Sequence, residues 1–306
     1  MSRVYEALQK SQGESPSASP LVQDQPEAVV AVGPALATAE PVEADWLKVP
    51  AERVLHPVPS PEQRLVVLSE PEGTGAEMFR VLATRLAHMQ NKRRLQKLLI
   101  TSSVVDEGKS VIAANLALTL ARRPNERVLL IEADLRRPTV SELFSPSPLR
   151  GISEWNAGQL PMEDSLYQIR DLPLWYLAAG KPMDEPLPLL ESERFAKMLE
   201  AVSASFDWVL LDATPMLPMA DSTSLARLCD GVVVVVREGF TRRKVLNKAI
   251  ESIDKSKLLG VVFNEASMLN IDYDRYYGSN HNSGKSKKEA KKEAKRQADQ
   301  VKAASA

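Results

Sequence analysis

The side chains best suited to chemistry lie in a short segment between an apolar run and a helix-like run. Gly108, Lys109 and Ser110 close the segment LLITSSVVDEGKS. A helix N-terminus has free backbone N–H groups, so with a lysine and a hydroxyl beside it, it can hold a polyphosphate and Mg²⁺. Ser103 stands where the full pattern G-x-x-x-x-G-K-[ST] has its first glycine, so this loop alone only suggests a phosphate site.

Each group of the loop has a predicted task. The Lys109 ammonium would neutralise charge on the β- and γ-phosphates, and the Ser110 hydroxyl would bind Mg²⁺. Asp106 takes a turn position where glycine is common. Aspartate tolerates left-handed backbone better than most residues, so we expect the turn to form with this carboxylate pointing away from the phosphates. The predicted phosphate cradle comprises Asp106, Glu107, Gly108, Lys109, Ser110 and Val111.

Carboxylates follow two further apolar runs. Glu132 and Asp134 lie in LLIEADLRRP, and their i, i+2 spacing at a strand end puts both on the same side. Paired carboxylates suit Mg²⁺ binding or acceptance of a hydroxyl proton, although helix capping and surface charge explain this pair equally well. In VLLDATP, Asp212 follows the apolar run, as expected of a Walker B carboxylate that holds Mg²⁺ directly or through water.

The elements that must position these groups alternate between strands and helices. Continuous apolar runs are typical of parallel strands covered on both faces, and ligands of such sheets bind at the carboxyl ends of the strands. The predicted strands are 97–102, 127–132, 174–178, 207–212, 231–236 and 258–263, and the predicted helices are 76–91, 109–123, 192–205, 220–228 and 241–254. The predicted fold is an α/β, P-loop NTPase-like, doubly wound and mostly parallel sheet with helices on both faces.

Composition shifts divide the chain into five predicted segments. Residues 1–10 form a short amphipathic helix, and residues 11–64, rich in Pro, Ala, Ser, Glu and Val, form a disordered linker. Residues 65–270 form the compact phosphate-binding domain. A tyrosine-containing tail follows at 271–283. The basic tail at 284–306 either solubilises the protein or is weakly attracted to an anionic membrane surface.

Overall composition excludes several classes of protein. The 306 residues carry a formal net charge of −1, so nothing global points to nucleic acid. The one cysteine, Cys229, excludes a disulfide framework and favours a reducing cytoplasm, where a buried core thiol is the expected role. No apolar run approaches the roughly 18–20 residues of a membrane span, so we expect a soluble protein that reaches a membrane only through a partner.

Over residues 65–278 the chain resembles the bacterial tyrosine autokinases of polysaccharide export and synthesis. Their loop, small-x-x-x-G-x-G-K-[ST], lacks the first glycine, which accounts for Ser103 and leaves Asp106 at the position of the second glycine. Their motif D-x-D-x-R matches residues 132–136, with Glu132 in place of the first aspartate. Their Walker B motif, D-x-x-P, matches residues 212–215.

This resemblance implies an ATP-dependent kinase site. Glu132 would accept the proton of the attacking tyrosine, Arg136 would contact the nucleotide and Asn264 would contact the adenine. Mg²⁺-ATP would bind to Lys109, Ser110, Asp134 and Asp212, with Ser110, Asp134 and Asp212 as the metal ligands.

The resemblance also implies what the kinase acts on. The tyrosine-rich tails of this family are phosphorylated in trans, and the candidates here are Tyr273, Tyr276 and Tyr277. Flanking Gly, Ser and Asn predict a mobile segment that can enter a neighbour's site. A cluster of aromatic side chains packed on the domain is the alternative.

Partners follow from the same resemblance. The self-association motif E-x-x-R-x-x-R is matched by Glu77 and Arg80, whereas Ala83 stands at its last position. Self-association is therefore expected, but Ala83 puts in doubt the ring-like oligomer that the family forms. Stand-alone members work with a membrane protein of the chain-length-determinant, or polysaccharide co-polymerase, type. Such an activator would hold this cytoplasmic chain peripherally at the inner membrane.

Two other classes of protein are alternatives to a kinase. Switch ATPases of the partitioning or septum-positioning type share the fold, but most carry an early lysine in the loop, and residues 102–105 read SSVV. A regulator with weakened catalysis would explain Glu132, Asp106 and Ala83. Retention of the four Mg²⁺-ATP residues named above counts against that class.

Overall fold

The computed structural model describes residues 47–58, 64–217 and 219–266, and within them the chain forms an eight-stranded sheet. The strands are β1 (Val54–Leu55), β2 (Lys97–Ser102), β3 (Val128–Glu132), β4 (Leu166–Ile169), β5 (Leu174–Leu177), β6 (Trp208–Asp212), β7 (Gly231–Arg237) and β8 (Leu258–Asn264). The α-helices are α1 (Val66–Ser69), α2 (Thr74–Gln90), α3 (Lys109–Leu120), α4 (Val140–Phe144), α5 (Ile152–Asn156), α6 (Leu187–Leu190), α7 (Glu193–Ser203), α8 (Asp221–Leu228) and α9 (Arg243–Glu251).

The strands lie in the order β1-β4-β5-β3-β6-β2-β7-β8. Neighbouring strands run parallel, except β4 and β5, which pair antiparallel. Strands β2, β3 and β6 are buried along their whole length, as expected for apolar runs covered on both faces. Because β3, β6 and β2 are neighbours, their carboxyl ends lie together.

Two apolar clusters cover the two faces of the sheet. Successive side chains of a strand point to opposite faces, so Leu98 and Ile100 pack with α2, α3 and α4, while Leu99 packs with α7, α8 and α9. This layering is the doubly wound arrangement that the alternating sequence pattern predicts, and the predicted fold class is confirmed.

Helix α3, which begins at the phosphate loop, is anchored by a buried asparagine. The Asn115 amide donates to the backbone oxygens of Arg64 at 3.0 Å and Val111 at 2.9 Å. Its carbonyl accepts a hydrogen bond from the backbone N–H of Val67 at 3.2 Å. These contacts tie α1 to α3 and fix the helix whose first residue is Lys109.

Sequence reasoning missed two strands. Strand β4 was not predicted, and β1 lies inside the predicted linker 11–64, so that segment is not irregular throughout. Val54 and Leu55 pair with Gln168 and Ile169 of β4. A two-residue strand carries too few side chains to show a period, and its place depends on a β4 that was itself missed.

Several predicted segments lie outside the described residues: the helix at 1–10, most of the linker, and the tails at 271–283 and 284–306. In the part of the chain that the structure describes, none of the helices combines the length and apolar character needed to cross a membrane. Cys229 is buried, and burial raises the pKa of its thiol to about 12, which agrees with the predicted core role.

Candidate functional site

Three strand ends bring the sequence motifs together. In the sheet register, Asp212 of β6 lies beside Glu132 of β3 on one side and Ile100 of β2 on the other. The loop after β2 therefore emerges next to the carboxylates that end β3 and β6. The motifs, which lie far apart in sequence, meet at the carboxyl edge of the sheet, where ligands of such folds bind.

The loop between β2 and α3 is built on two left-handed residues. Asp106 has a φ of 63° and Gly108 a φ of 84°. Asp106 is exposed, which is compatible with the prediction that its carboxylate points away from the phosphates. The positive φ of Gly108 favours glycine, and a Cβ atom there would also displace the Asn264 side-chain amide from the loop.

Glu107 holds the loop in this shape through its buried side chain. Its Oε2 accepts a hydrogen bond from the backbone N–H of Val104 at 2.8 Å, and its Oε1 accepts one from the Thr241 hydroxyl. The Asn264 amide donates to the Glu107 backbone oxygen at 3.1 Å. The motif predicts only a backbone role for Glu107, because nothing in its spacing distinguishes a side chain that holds the loop from an exposed surface acid. Asn264, expected at the adenine, lies against the loop.

A lysine, a hydroxyl and two carboxylates form a compact cluster at the start of α3. The Lys109 Nζ lies 2.9 Å from Asp134 Oδ2 and donates to Ser110 Oγ at 3.2 Å. The Ser110 hydroxyl donates to Asp212 Oδ2 at 2.7 Å, and the Thr139 hydroxyl donates to Ser110 Oγ at 2.9 Å. The ammonium group thus sits among the oxygens predicted to hold the metal. Thr139 was not predicted as part of the site.

Burial sets the electrostatics of this cluster. It raises the pKa of the Asp212 carboxyl to about 6, against the attraction of Lys109 and the Ser110 hydrogen bond, which lower it. Burial lowers the pKa of Lys109, but Asp212 and Asp134 outweigh that effect and hold it above its ordinary value. The cluster therefore favours the charged ammonium form of Lys109, whereas burial disfavours the charged form of the Asp212 carboxyl.

Two buried polar atoms at the site have no hydrogen-bond partner among the described residues: Asp212 Oδ1 and Ser103 Oγ. Leaving such an atom unpaired typically costs about 1–3 kcal/mol, so each atom is suited to contact a bound ligand. The described residues contain no group of three His, Cys, Asp or Glu side chains that could hold a metal ion alone. Mg²⁺ usually takes one or two carboxylates together with phosphates and water, so the site fits a metal bound with a nucleotide.

Glu132, predicted to accept the tyrosine proton, is saturated with donors. Its Oε1 accepts hydrogen bonds from the backbone N–H groups of Val140 at 2.6 Å and Ser141 at 3.3 Å. Its Oε2 accepts from the Tyr176 hydroxyl at 2.6 Å and the Ala179 N–H at 3.3 Å. The side chain is 0% exposed. Burial raises its pKa, although these donors lower it. The geometry therefore argues against a proton acceptor, because no oxygen is free to meet a hydroxyl.

Arg136, predicted to contact the nucleotide, is held elsewhere. Its Nε donates to Asp221 Oδ2 at 2.7 Å, and its Nη1 donates to the backbone oxygen of Asp184. Asp221 opens α8 and is buried. Arg136 thus ties the loop after β3 to α8 and to the segment after β5, a role that its place in the motif did not reveal.

Other predicted residues are distributed as follows. Glu77 and Arg80 form an ion pair of 2.6 Å on α2, with both side chains partly exposed. Ala83, at the last position of the self-association motif, is buried, so it faces the core and not the surface. Tyr273, Tyr276 and Tyr277 lie outside the described residues.

The fold and the site indicate a P-loop protein that binds a nucleotide together with a divalent metal. No family model matches the chain. Tyrosine-protein kinase YwqD of Bacillus subtilis is 31% identical over 223 residues, which cover 72% of this chain and 94% of YwqD. The succinoglycan biosynthesis transport protein ExoP of Rhizobium meliloti is 32% identical over 74% of this chain, which spans only 30% of ExoP. Among solved structures, the kinase domain of Escherichia coli tyrosine kinase ETK superposes with a TM-score of 0.62 at 25% identity, covering 72% of this chain and 86% of that one.

The chain belongs to the bacterial tyrosine autokinase family. YwqD alone is similar enough, over enough of both chains, to establish this. Membership confirms the resemblance drawn from the motifs and the prediction that the chain is a protein-tyrosine kinase.

Proposed function

We propose that the chain is an ATP-dependent protein-tyrosine autokinase that uses Mg²⁺ and acts in capsule or exopolysaccharide production. The observation that carries this proposal is Asp212 Oδ1, which is buried beside Ser110 at the phosphate loop and has no hydrogen-bond partner among the residues that the structure describes. A carboxylate oxygen kept buried and unpaired next to a lysine and a hydroxyl suits a ligand that brings both metal and phosphate.

The residues of the site would divide the work. Backbone N–H groups of residues 106–111 would cradle the phosphates at the start of α3. Ser110, Asp134 and Asp212 would hold Mg²⁺, which supplies positive charge to the β- and γ-phosphates when bound. Lys109, now paired with Asp134, would turn its ammonium group to the phosphate oxygens. Asn264, whose amide already lies on the loop, would contact the adenine.

Substrate and partners follow from the family. Tyr273, Tyr276 and Tyr277 would be phosphorylated in trans by a second copy of the chain. Glu77 and Arg80, exposed on α2, would contribute to that self-association. A membrane co-polymerase would activate the kinase and hold it, as a cytoplasmic protein, at the inner membrane. The relative ExoP, named for succinoglycan biosynthesis and transport, supports a link to polysaccharide.

The test is phosphotyrosine formation by the purified full-length chain incubated with Mg²⁺-ATP. Wild type is compared with Lys109→Ala and with the triple variant Tyr273→Phe, Tyr276→Phe, Tyr277→Phe. Lys197→Ala is a matched control, because that lysine is exposed and forms an ion pair with Glu193, one turn earlier on the same helix. The cytoplasmic segment of a membrane partner is added in a parallel series.

We expect phosphotyrosine in wild type and the control, and its loss in both other variants. Absence of phosphotyrosine in wild type, with and without the partner segment, would overturn the kinase proposal. ATP hydrolysis that persists without phosphotyrosine would instead favour a switch ATPase.

A further inference from the structure

The buried Glu132 carboxylate joins two segments of the chain at the edge of the site. One oxygen binds the first turn of α4, through the N–H groups of Val140 and Ser141. The other accepts hydrogen bonds from the Tyr176 hydroxyl on β5 and from the N–H of Ala179, two residues after that strand. Hydrogen bonds to a charged acceptor are stronger than neutral ones, so this carboxylate fixes the start of α4 relative to the sheet.

Thr139, which immediately precedes that turn, reaches the phosphate loop. Its hydroxyl donates to Ser110 Oγ at 2.9 Å. The Ser110 hydroxyl has one proton, and that proton is donated to Asp212 at 2.7 Å. The Thr139 hydrogen bond therefore leaves the Ser110 proton directed to Asp212 and occupies one of the two lone pairs on Ser110 Oγ. Lys109 donates to the other lone pair at 3.2 Å, and that lone pair would face the metal once the ammonium group turns to the phosphates.

We infer that Glu132 is a positioning residue: it holds the first turn of α4 so that Thr139 orients the Ser110 hydroxyl for metal and nucleotide. The inference rests on the proposed function. It assigns to Glu132 a task at the same site, but one carried through Thr139 and not through a proton.

The longer side chain of glutamate suits this task. Tyr176 lies on β5, the neighbour of β3, where it pairs in register with Leu130. Val140 is on the opposite side of the carboxylate, eight residues further along the chain. Shortening the side chain by one methylene would withdraw the carboxylate from both sets of donors at once. A glutamate at the motif's first position is thus explained by the length of its side chain, which reaches both sets of donors.

Thr139→Val is the sharpest test, because Thr139 is exposed and the substitution keeps its shape while removing its hydroxyl. Loss of one hydrogen bond is worth about 0.5–1.5 kcal/mol, so we expect the Kd of a fluorescent ATP analogue with Mg²⁺ to rise about twofold to tenfold. Thr139→Ser should restore the wild-type Kd. The overturning result is a Kd for Thr139→Val within experimental error of wild type.

Glu132→Gln separates positioning from proton transfer. Glutamine retains one acceptor oxygen, so a positioning role predicts faster amide hydrogen exchange at Val140 and Ser141, and a raised Kd. It also predicts less than about a tenfold loss of phosphotyrosine rate at saturating Mg²⁺-ATP. A general base would lose about 10²–10⁴-fold in rate. That larger loss, with exchange and Kd unchanged, would overturn the inference.

Coupling between the two residues gives a further readout. If Glu132 acts through Thr139, the double variant should raise the Kd no more than the larger of the two single effects. Full additivity would contradict the inference. Nucleotide binding and hydrogen exchange are measured without kinase turnover. A wild type that binds nucleotide but forms no phosphotyrosine would thus reject the proposed function and leave this test intact.

Discussion

The two carboxylates that end β3 and β6 are neighbours in the sheet, yet they are treated in opposite ways. Glu132 and Asp212 lie opposite each other in the register, and both are fully buried. The Glu132 oxygens accept four hydrogen bonds, whereas Asp212 Oδ1 accepts none from the described residues. The other oxygen of Asp212, Oδ2, accepts a hydrogen bond from the Ser110 hydroxyl.

This difference separates a carboxylate that the fold saturates with donors from one that could meet the metal in the proposed site. A buried polar group that is fully paired stabilises the fold, while an unpaired one costs free energy unless something binds to it. The raised pKa of the Asp212 carboxyl, caused mainly by burial, reflects that cost. Motif position alone gives both residues a direct part in the chemistry, and only their hydrogen bonds show that Glu132 is taken up by the fold.

Glu132→Ala should produce the largest loss of stability. It leaves the Tyr176 hydroxyl and several backbone N–H groups without an acceptor in the core, so we expect a loss of about 3–5 kcal/mol in the free energy of unfolding. Urea denaturation of wild type and variant measures this value. Glu142→Ala, which removes an exposed glutamate from the same helix, is the control and should change little. A loss below about 1 kcal/mol would show that the network is not structural.

Asp212→Asn should lower kinase activity without lowering stability, the converse of Glu132→Ala. Loss of a charge aimed at the metal should reduce the phosphotyrosine rate by about 10²–10³-fold, equivalent to about 2.7–4 kcal/mol. The ligand-free protein should melt at the same temperature or higher, because asparagine avoids burying a charge. Calorimetry and phosphotyrosine assays measure the two effects. The exposed Asp171 provides the control, Asp171→Asn. A clear fall in melting temperature would place Asp212 with Glu132 as a structural residue.

Arg136→Ala tests a residue whose place in the motif and place in the structure disagree. Asp221 is buried, so removing its 2.7 Å partner leaves a buried carboxylate. Because the Arg136 side chain is 31% exposed, water would lessen the cost, and we expect about 1–2 kcal/mol of lost stability. The Kd of Mg²⁺-ATP should change less than about threefold. The neighbouring, exposed Arg137→Ala is the matched control. A tenfold weaker Kd with unchanged stability would restore the predicted nucleotide contact.

Features that a local sequence pattern or a motif encodes could be predicted, whereas features that depend on particular distant partners could not. The central strands, the loop and the convergence of Lys109, Ser110 and Asp212 follow from apolar runs and motif order. Strand β1 and the clamp made by Glu107 do not, because both depend on partners distant in sequence. The same holds for Glu132 and Arg136: their motif names a residue type, while their donors and acceptors come from other segments of the fold.

Glu77→Ala, on α2, should have the smallest effect on the isolated chain. Its ion pair with Arg80 is partly exposed, and such i, i+3 pairs are worth about 0.2–0.5 kcal/mol. Unfolding experiments at low protein concentration should therefore barely distinguish the variant from wild type. If this pair serves self-association, sedimentation at high concentration should show a clear loss of oligomer. Because Ala83 is buried and supplies no charge, the surface contact would depend on Glu77 and Arg80 more heavily than in a complete motif. An oligomer unchanged in Glu77→Ala would remove α2 from the interface and leave the pair as ordinary surface charge.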